Sequence, residues 1–226
     1  MAKNTKQVVK NAKPVGNSLP YRIGAFILWA LAIACEVVGI LMLFKKIAVP
    51  EAYFLYALIG VLLLDMIFVI LGSLLWKKAN HISPASEKNK LAFWCQNNLG
   101  LFITVIAFAP IIVLILLNKD ADKKTKAIAT AVAAVAMVIA GLGSYDWNPV
   151  SQEDLLRAQG YFGNQTVYFA ASGKVYHATQ DCGHLKNAKT VVKGKVEQAF
   201  SENKSRLCKT CAKNLGVTNE TLLVQE

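Results

Sequence analysis

Four long apolar runs constrain this chain more than any other feature. They cover residues 23–44, 53–76, 91–117 and 127–142. A helix needs about 18–20 apolar residues to cross the hydrocarbon core of a bilayer. The first three runs meet that length, and the fourth is shorter and rich in alanine. Tyr21, Trp29, Tyr53, Tyr56, Trp76, Trp94, Tyr145 and Trp147 mostly fall near the ends of the runs, where interfacial aromatics belong. With 54% hydrophobic residues, the composition is too apolar for an ordinary soluble domain and implies an integral membrane protein. The expected fold is an all-α membrane domain of four transmembrane helices followed by a small α+β module.

The polar remainder is basic, since the formal charge is +11. Lys3, Lys6, Lys10, Lys13 and Arg22 precede the first run, and Lys77, Lys78, Lys88 and Lys90 follow the second. These nine outnumber the six of the other two loops: Lys45, Lys46, Lys119, Lys123, Lys124 and Lys126. The positive-inside rule then places both termini in the cytoplasm, in a multi-pass protein of the inner (plasma) membrane. No small-residue cleavage site closes the first run before "FKK", so no secretory signal is expected.

Along the chain the expected organisation is a basic disordered tail (1–22), the four-helix domain (23–145), a linker (146–165), the module (166–216) and a C-terminal tail (217–226). In the linker, Ser151 followed by Glu153 and Asp154 reads as an N-cap with first-turn acids. The helix it opens should run to about Gln159, with Gly160 and Gly163 ending it.

Five cysteines are an odd number for a disulfide framework. Cys35 and Cys95 lie in or beside apolar runs, whereas Cys182, Cys208 and Cys211 cluster near the C-terminus. "TVYFAASGKVYHAT" reads as two strands joined at Ser172–Gly173, the second delivering His177. Cys182 follows, then a basic stretch, a short helix around 197–201, and "RLCKTCAKNLG". The Cys208-x-x-Cys211 spacing lets two thiolates reach one tetrahedral ion about 2.3 Å away. His177 and Cys182 complete a Cys₃His set, with His184 as the competing nitrogen ligand. Free thiols, or a Cys208–Cys211 disulfide, are the alternatives to zinc. A segment of about 50 residues with few large apolar side chains needs a staple. Four protein ligands would make the Zn²⁺ structural, with no open position for catalysis.

The stretch "VYFAASGKVYHATQDCGHLKNAKTVV…EQAF…RLCKTC" resembles the Ada-like family of small metal-binding modules, whose relatives occur on bacterial nucleases and on membrane or envelope proteins. By position, His177, Cys182, Cys208 and Cys211 match that family's metal ligands, and Tyr176, Leu185 and Lys186 match the surrounding pattern. Leu207 replaces the proline expected before the first knuckle cysteine, the Glu-Ala pair is split as Glu197–Gln198–Ala199, and "ENKSR" replaces a glycine. The methyl-accepting chemistry of the family's DNA-repair member is not carried over. Within 166–216, nine Lys and Arg face three Asp and Glu. Lys186, Lys189, Lys193, Lys195, Arg206 and Lys209 are therefore candidates for binding anionic lipid or nucleic acid. Tyr168, Phe169 and Tyr176 are the aromatics available for base stacking.

Two acids interrupt the apolar runs: Glu36 in "LAIACEVVGIL" and Asp65 in "GVLLLDMIFVI". At 1.5 Å per residue both fall roughly 15–18 Å from the cytoplasmic edge, on adjacent antiparallel helices. Intramembrane acids usually face a bundle interior or a water-filled cavity, and two facing carboxyls are expected to share a proton. Asn97 and Asn98 are expected to add amides to this intramembrane polar group, lower on the third helix, and Pro110 is expected to kink that helix. "AIACEVVGILM" is similar to the first helix of the small multidrug resistance transporters, which implies a proton-coupled glutamate at Glu36. A bundle or oligomer held by hydrogen-bonded acids is the bland counterpart.

No nucleophile–base pair, phosphate loop or open metal site is recognisable, so the chain is not expected to be an enzyme. The leading expectation is a membrane anchor, homo-oligomeric in the bilayer, for a zinc module that acts as an interaction or sensor protein with a protein partner. A small oligomeric channel or transporter using Glu36 and Asp65, or a membrane-tethered nucleic-acid binder for DNA uptake or defence, are the alternatives.

Overall fold

The structure is a computed structural model and describes residues 8–13, 15–119 and 122–224; Lys3 and Lys6 lie outside the described residues. The chain divides into two units. One contains Leu19–Ala79 and Trp94–Trp147, and the other takes the described residues of Met1–Ser18, Asn80–Phe93 and Asn148–Glu226.

The first unit is helical. Its long helices are α1 (Leu19–Leu43), α2 (Glu51–Ile82, whose last turn belongs to the other unit), α4 (Leu99–Leu117) and α5 (Lys123–Ser144), with the short α3 (Lys90–Asn97) before α4. All four long helices have the length and apolarity to cross a membrane. The fourth is longer than its apolar run suggests, because the Asp122 carboxylate caps it, accepting hydrogen bonds from Lys124 N at 2.9 Å and Thr125 N at 3.0 Å. The buried face of α5 is Ala129, Ala133, Ala136, Ala140 and Ser144. Small side chains at this spacing let a neighbouring helix approach closely, and α5 packs chiefly on α4.

Two expectations for this unit change. The third run is not one helix but breaks at Asn98, while α4 continues through Pro110. Side chains bond to carbonyls at the break: Trp76 Nε1 donates to Gln96 O (2.7 Å), and the Asn98 amide donates to Trp94 O (3.0 Å), which also accepts from Asn98 N. Asn98 Oδ1 in turn accepts from Asp146 N at 3.1 Å, just beyond the end of α5. Trp29 and Trp76, expected among the interfacial aromatics, are buried within the helical unit, with ring centroids 5.6 Å apart, whereas Tyr53, Tyr56 and Trp147 are exposed.

The second unit is α+β. Strand β1 (Val8–Asn11) runs parallel to β4 (Thr190–Gly194), and β2 (Val167–Ala170) pairs antiparallel with the other edge of β4, giving the order β1-β4-β2. A second pair, β3 (Val175–Tyr176) with β5 (Arg206–Leu207), is parallel. Helices α6 (Gln152–Phe162), α7 (Val196–Ser201) and α8 (Lys209–Leu215) complete it. Ser151 caps α6 as expected, accepting from Asp154 N at 3.0 Å. The helix continues through Gly160, however, and ends at Gly163, which adopts φ 53°.

The expected boundaries are too narrow here. Residues 8–11 are a strand rather than part of a disordered tail. The core that packs around the module also draws Val150, Ala158 and Phe162 from before residue 166 and Leu222 from after 216. Phe162 and Leu222 add large apolar side chains to those that 166–216 itself supplies, Phe169, Tyr176, Phe200 and Leu207. Ala85 pairs with Ser151, and the Glu153 carboxylate accepts from the Ser86 hydroxyl (2.5 Å) and Glu87 N (2.8 Å), so the α2–α3 loop is stitched onto α6.

Candidate metal centre and intramembrane acids

Short backbone devices bring the four donors together. Tyr168 and His177 exchange both backbone hydrogen bonds, at 2.8 and 2.7 Å, which fixes His177 at the end of β3. β3 lies beside β5, and Cys208 N donates to Tyr176 O at 2.9 Å, so the knuckle begins next to the histidine. Cys182 and Cys208 share one backbone conformation (φ −58°, ψ 128° and φ −58°, ψ 132°), and each precedes a helical turn: a 3₁₀ turn at Gly183–Leu185 and α8. Their carbonyls accept from Leu185 N and Ala212 N, both at 2.8 Å. The first turn of α8 carries Cys211 round to the same point.

The ligand atoms of His177, Cys182, Cys208 and Cys211 all lie within 4.8 Å of one another, and all four residues are buried. Cys182 Sγ is 3.9 Å from Cys208 Sγ, and His177 Nδ1 is 3.9 Å from Cys211 Sγ. Tetrahedral bonds of about 2.3 Å place neighbouring sulfurs roughly 3.8 Å apart, so the donor set fits a metal ion. The five cysteines form no disulfide. His184 is outside the group. It is exposed, and its Nε2 contacts Thr210 Oγ1 at 3.0 Å. The choice left open between the two histidines falls on His177.

Burial shifts two of the donors, His177 and Cys211. It pushes His177 down to about 4, helped by the nearby His184, and Cys211 up to about 11, against the lowering effect of a backbone hydrogen bond from Ala178. A buried neutral imidazole with its lone pair available is a metal ligand in waiting, and a buried thiol without a countercharge gains one only from a cation.

The basic candidates Lys186, Lys189, Lys193, Lys195 and Lys209 are exposed and Arg206 is half-buried. Lys195 Nζ donates to Asn164 Oδ1 at 2.9 Å. Tyr168 is half-buried, while Phe169 and Tyr176 are core residues and offer no stacking surface. Lys204 is a residue whose role was not foreseen: it is buried, and its ammonium donates to Ala171 O (3.0 Å) and Gly173 O (2.5 Å), closing the turn that presents β3. No local signal marks it, because the turn lies some 30 residues away in sequence.

Glu36 and Asp65 are both buried within the helical unit. Asn97 and Asn98 are buried too, but not with them. Gly100 packs against Ser73, and Ser73 lies eight residues, or about 12 Å, along α2 from Asp65. Near Asn97 and Asn98 is a separate, satisfied polar knot: Ser73 and Ser144 hydroxyls at 2.8 Å, and Thr104 Oγ1 donating to Gly100 O at 2.9 Å. The expected four-residue polar site is therefore two groups.

No family model, curated protein or solved structure matches this chain.

Proposed function

We propose that this is an integral membrane protein whose four helices anchor a structural zinc module on the cytoplasmic side, and that the module serves as an interaction or sensor platform rather than a catalytic centre. The observation that carries this reading is the closed, buried Cys₃His donor set. Four protein donors fill a tetrahedral ion, and such an ion supplies a crosslink and no site for water or substrate. Membrane insertion is supported by the four apolar helices, of which no more than a third is buried within the protein; helices apolar all round need lipid against them. Sidedness is supported by the make-up of the second unit. Its three segments are separated by pairs of membrane-length helices, so they share one side of the bilayer, and the lysine excess makes that side the cytoplasm.

The test is metal analysis of the full-length protein in detergent, together with reporter fusions at residues 20, 85 and 220. About one zinc per chain, lost in Cys208→Ala, and a cytoplasmic signal at all three positions are expected. A folded protein that carries no metal ends the zinc reading, and a periplasmic signal at 220 ends the cytoplasmic one.

A further inference from the structure

The seam between α1 and α2 is regular. On α1 the buried positions are Ala25, Trp29, Ala32, Glu36, Gly39, Met42 and Leu43, and on α2 they include Leu58, Leu62, Asp65, Val69, Ser73 and Trp76. Steps of four and three alternate from Ala25 to Gly39, the spacing of a packed helix seam. Two glycines fix the register. A Cβ on Gly72 would lie 2.6 Å from the Trp29 ring, and one on Gly39 would lie 3.7 Å from Val61. Glu36 is seven residues on from Trp29, and Asp65 is seven back from Gly72. In antiparallel helices that sets the two acids opposite one another.

Both carboxyls are out of reach of solvent, at 6% and 1% exposure. Glu36 Oε1 and both Asp65 oxygens are buried and accept no hydrogen bond among the described residues. Nothing nearby neutralises them. The helix α4 has no titratable side chain, nor does α5 from residue 127 to 144. The contacts of Ile111 with Gly39 and of Gly100 with Ser73 bring Phe108 to the depth of the acids. Between residues 23 and 44 of α1 the remaining titratable group is Cys35, and between 57 and 76 of α2 there is none besides Asp65. Two bare carboxylates here would each cost at least about 2.5 kcal/mol, and they would also repel one another. A divalent ion needs about six oxygens, and the pair has four.

We propose that Glu36 and Asp65 form a single proton-binding site in the membrane domain, in which one proton bridges the two carboxyls and supplies the hydrogen that the buried oxygens lack. The site gives up and takes back that proton as a unit. The helical domain is then a proton-exchanging element as well as an anchor. This rests on the membrane reading above and is independent of the zinc reading.

The test uses the full-length protein in phosphatidylcholine nanodiscs and dicyclohexylcarbodiimide. A protonated carboxyl in apolar surroundings adds across a C=N bond of the reagent, its proton going to nitrogen, and the adduct rearranges to a stable N-acylurea without a leaving group. At pH 7 one adduct per chain is expected, on Glu36 or Asp65, declining as pH rises. In Asp65→Asn the remaining acid loses its like-charged neighbour, so the pH of half-labelling at Glu36 should fall by at least about one unit. Glu36→Gln should do the same for Asp65. Unlabelled acids at pH 7, or an unchanged midpoint in both variants, overturn the shared site. Suppression by sodium chloride but not by choline chloride overturns the proton in favour of a sodium ion. Unchanged elution and zinc content show that the variants are folded, and failure to enter nanodiscs at all would instead refute the membrane reading.

Discussion

Replacing His177 and His184 separately by alanine distinguishes a metal ligand from a surface neighbour. His184 is exposed and makes one neutral side-chain contact, to Thr210. Its loss should change stability and metal affinity within about 0.5 kcal/mol, the range of ordinary surface substitutions. His177 is buried, with Nδ1 3.9 Å from Cys211 Sγ. Losing a residue that merely orients a ligand typically costs 10–100-fold in affinity, so losing the ligand itself should cost at least about 100-fold, or ~2.7 kcal/mol. Metal binding and folding are linked. At a free zinc concentration of about 1,000 times Kd the ion stabilises the fold by ~4.1 kcal/mol, and the variant at that same concentration keeps only about a third of it. The assay is competition of full-length protein with a chromophoric chelator, with cobalt(II) substituted to read the ligand set from its visible bands. His177→Ala should shift those bands and His184→Ala should not. An affinity of His177→Ala within threefold of wild type, or a larger loss in His184→Ala, would refute the assignment.

Removing residues 1–12 should open one edge of β4, which loses the β1 ladder and the 2.7 Å bond from Ala12 N to Lys193 O. The expected cost is about 2–4 kcal/mol. Hydrogen exchange should accelerate at residues 190–194 while α8 keeps its protection; equal acceleration everywhere would contradict a local role. Gly100→Ala places a methyl 2.8 Å from Ser73 Cβ and 3.3 Å from Ser144 Cβ, and should destabilise the bundle in detergent by about 1–3 kcal/mol. Adding Ser73→Gly should restore part of that loss, and strict additivity would rule out the contact. Glu153 is held below the ordinary carboxylate value of 4.5 by the Ser86 hydroxyl and the Glu87 N–H. A depressed folded-state value means that the stabilisation is present above about pH 4.5 and is lost as pH falls through the folded value. Protease cutting of the 83–89 loop should therefore rise below about pH 4.5 in the native protein. Glu153→Gln should remove that acid limb; an unaltered profile would show that another group governs it.

Much of the helical unit was legible because its signal is local. Twenty apolar residues are a message that no tertiary contact needs to complete, and all four membrane-length helices lie where the apolar runs put them. What was lost is equally physical. The break at Asn98 depends on Trp76, Asn98 itself and the Asp146 amide, partners on three segments, and hydropathy sees only the uninterrupted grease of 91–117. The α+β unit was harder. The sequence presents Thr190–Gly194 as part of a basic stretch, although "TVV" is β-branched, because Lys193 and the flanking Lys189 and Lys195 mask a strand paired between two others. β1 was invisible for a stronger reason: four residues gain strand character only by pairing with a partner some 180 positions away.

The metal donors were legible because tetrahedral coordination writes itself into spacing: Cys208-x-x-Cys211 on one turn, with His177 at a strand end. Spacing could not decide between His177 and His184, since both lie near Cys182 in sequence. The decision belongs to the sheet. The exchange of hydrogen bonds between Tyr168 and His177 orients one imidazole inward, and His184 falls on the outer side of a 3₁₀ turn. The intramembrane polar residues show the converse. Position within the apolar runs puts Glu36, Asp65, Asn97 and Asn98 into one polar site, with the amides lower on the third helix, but depth is only one of three coordinates. The register of α1 on α2 is set by Trp29 against Gly72, and that of α4 on α2 by Gly100 against Ser73. These contacts keep the acids together and carry the amides about two turns away, where hydroxyls and backbone amides already satisfy the polar groups around them. The hydroxyls of Ser73, Thr104 and Ser144 are thus paired within the chain, and the acids still need a hydrogen.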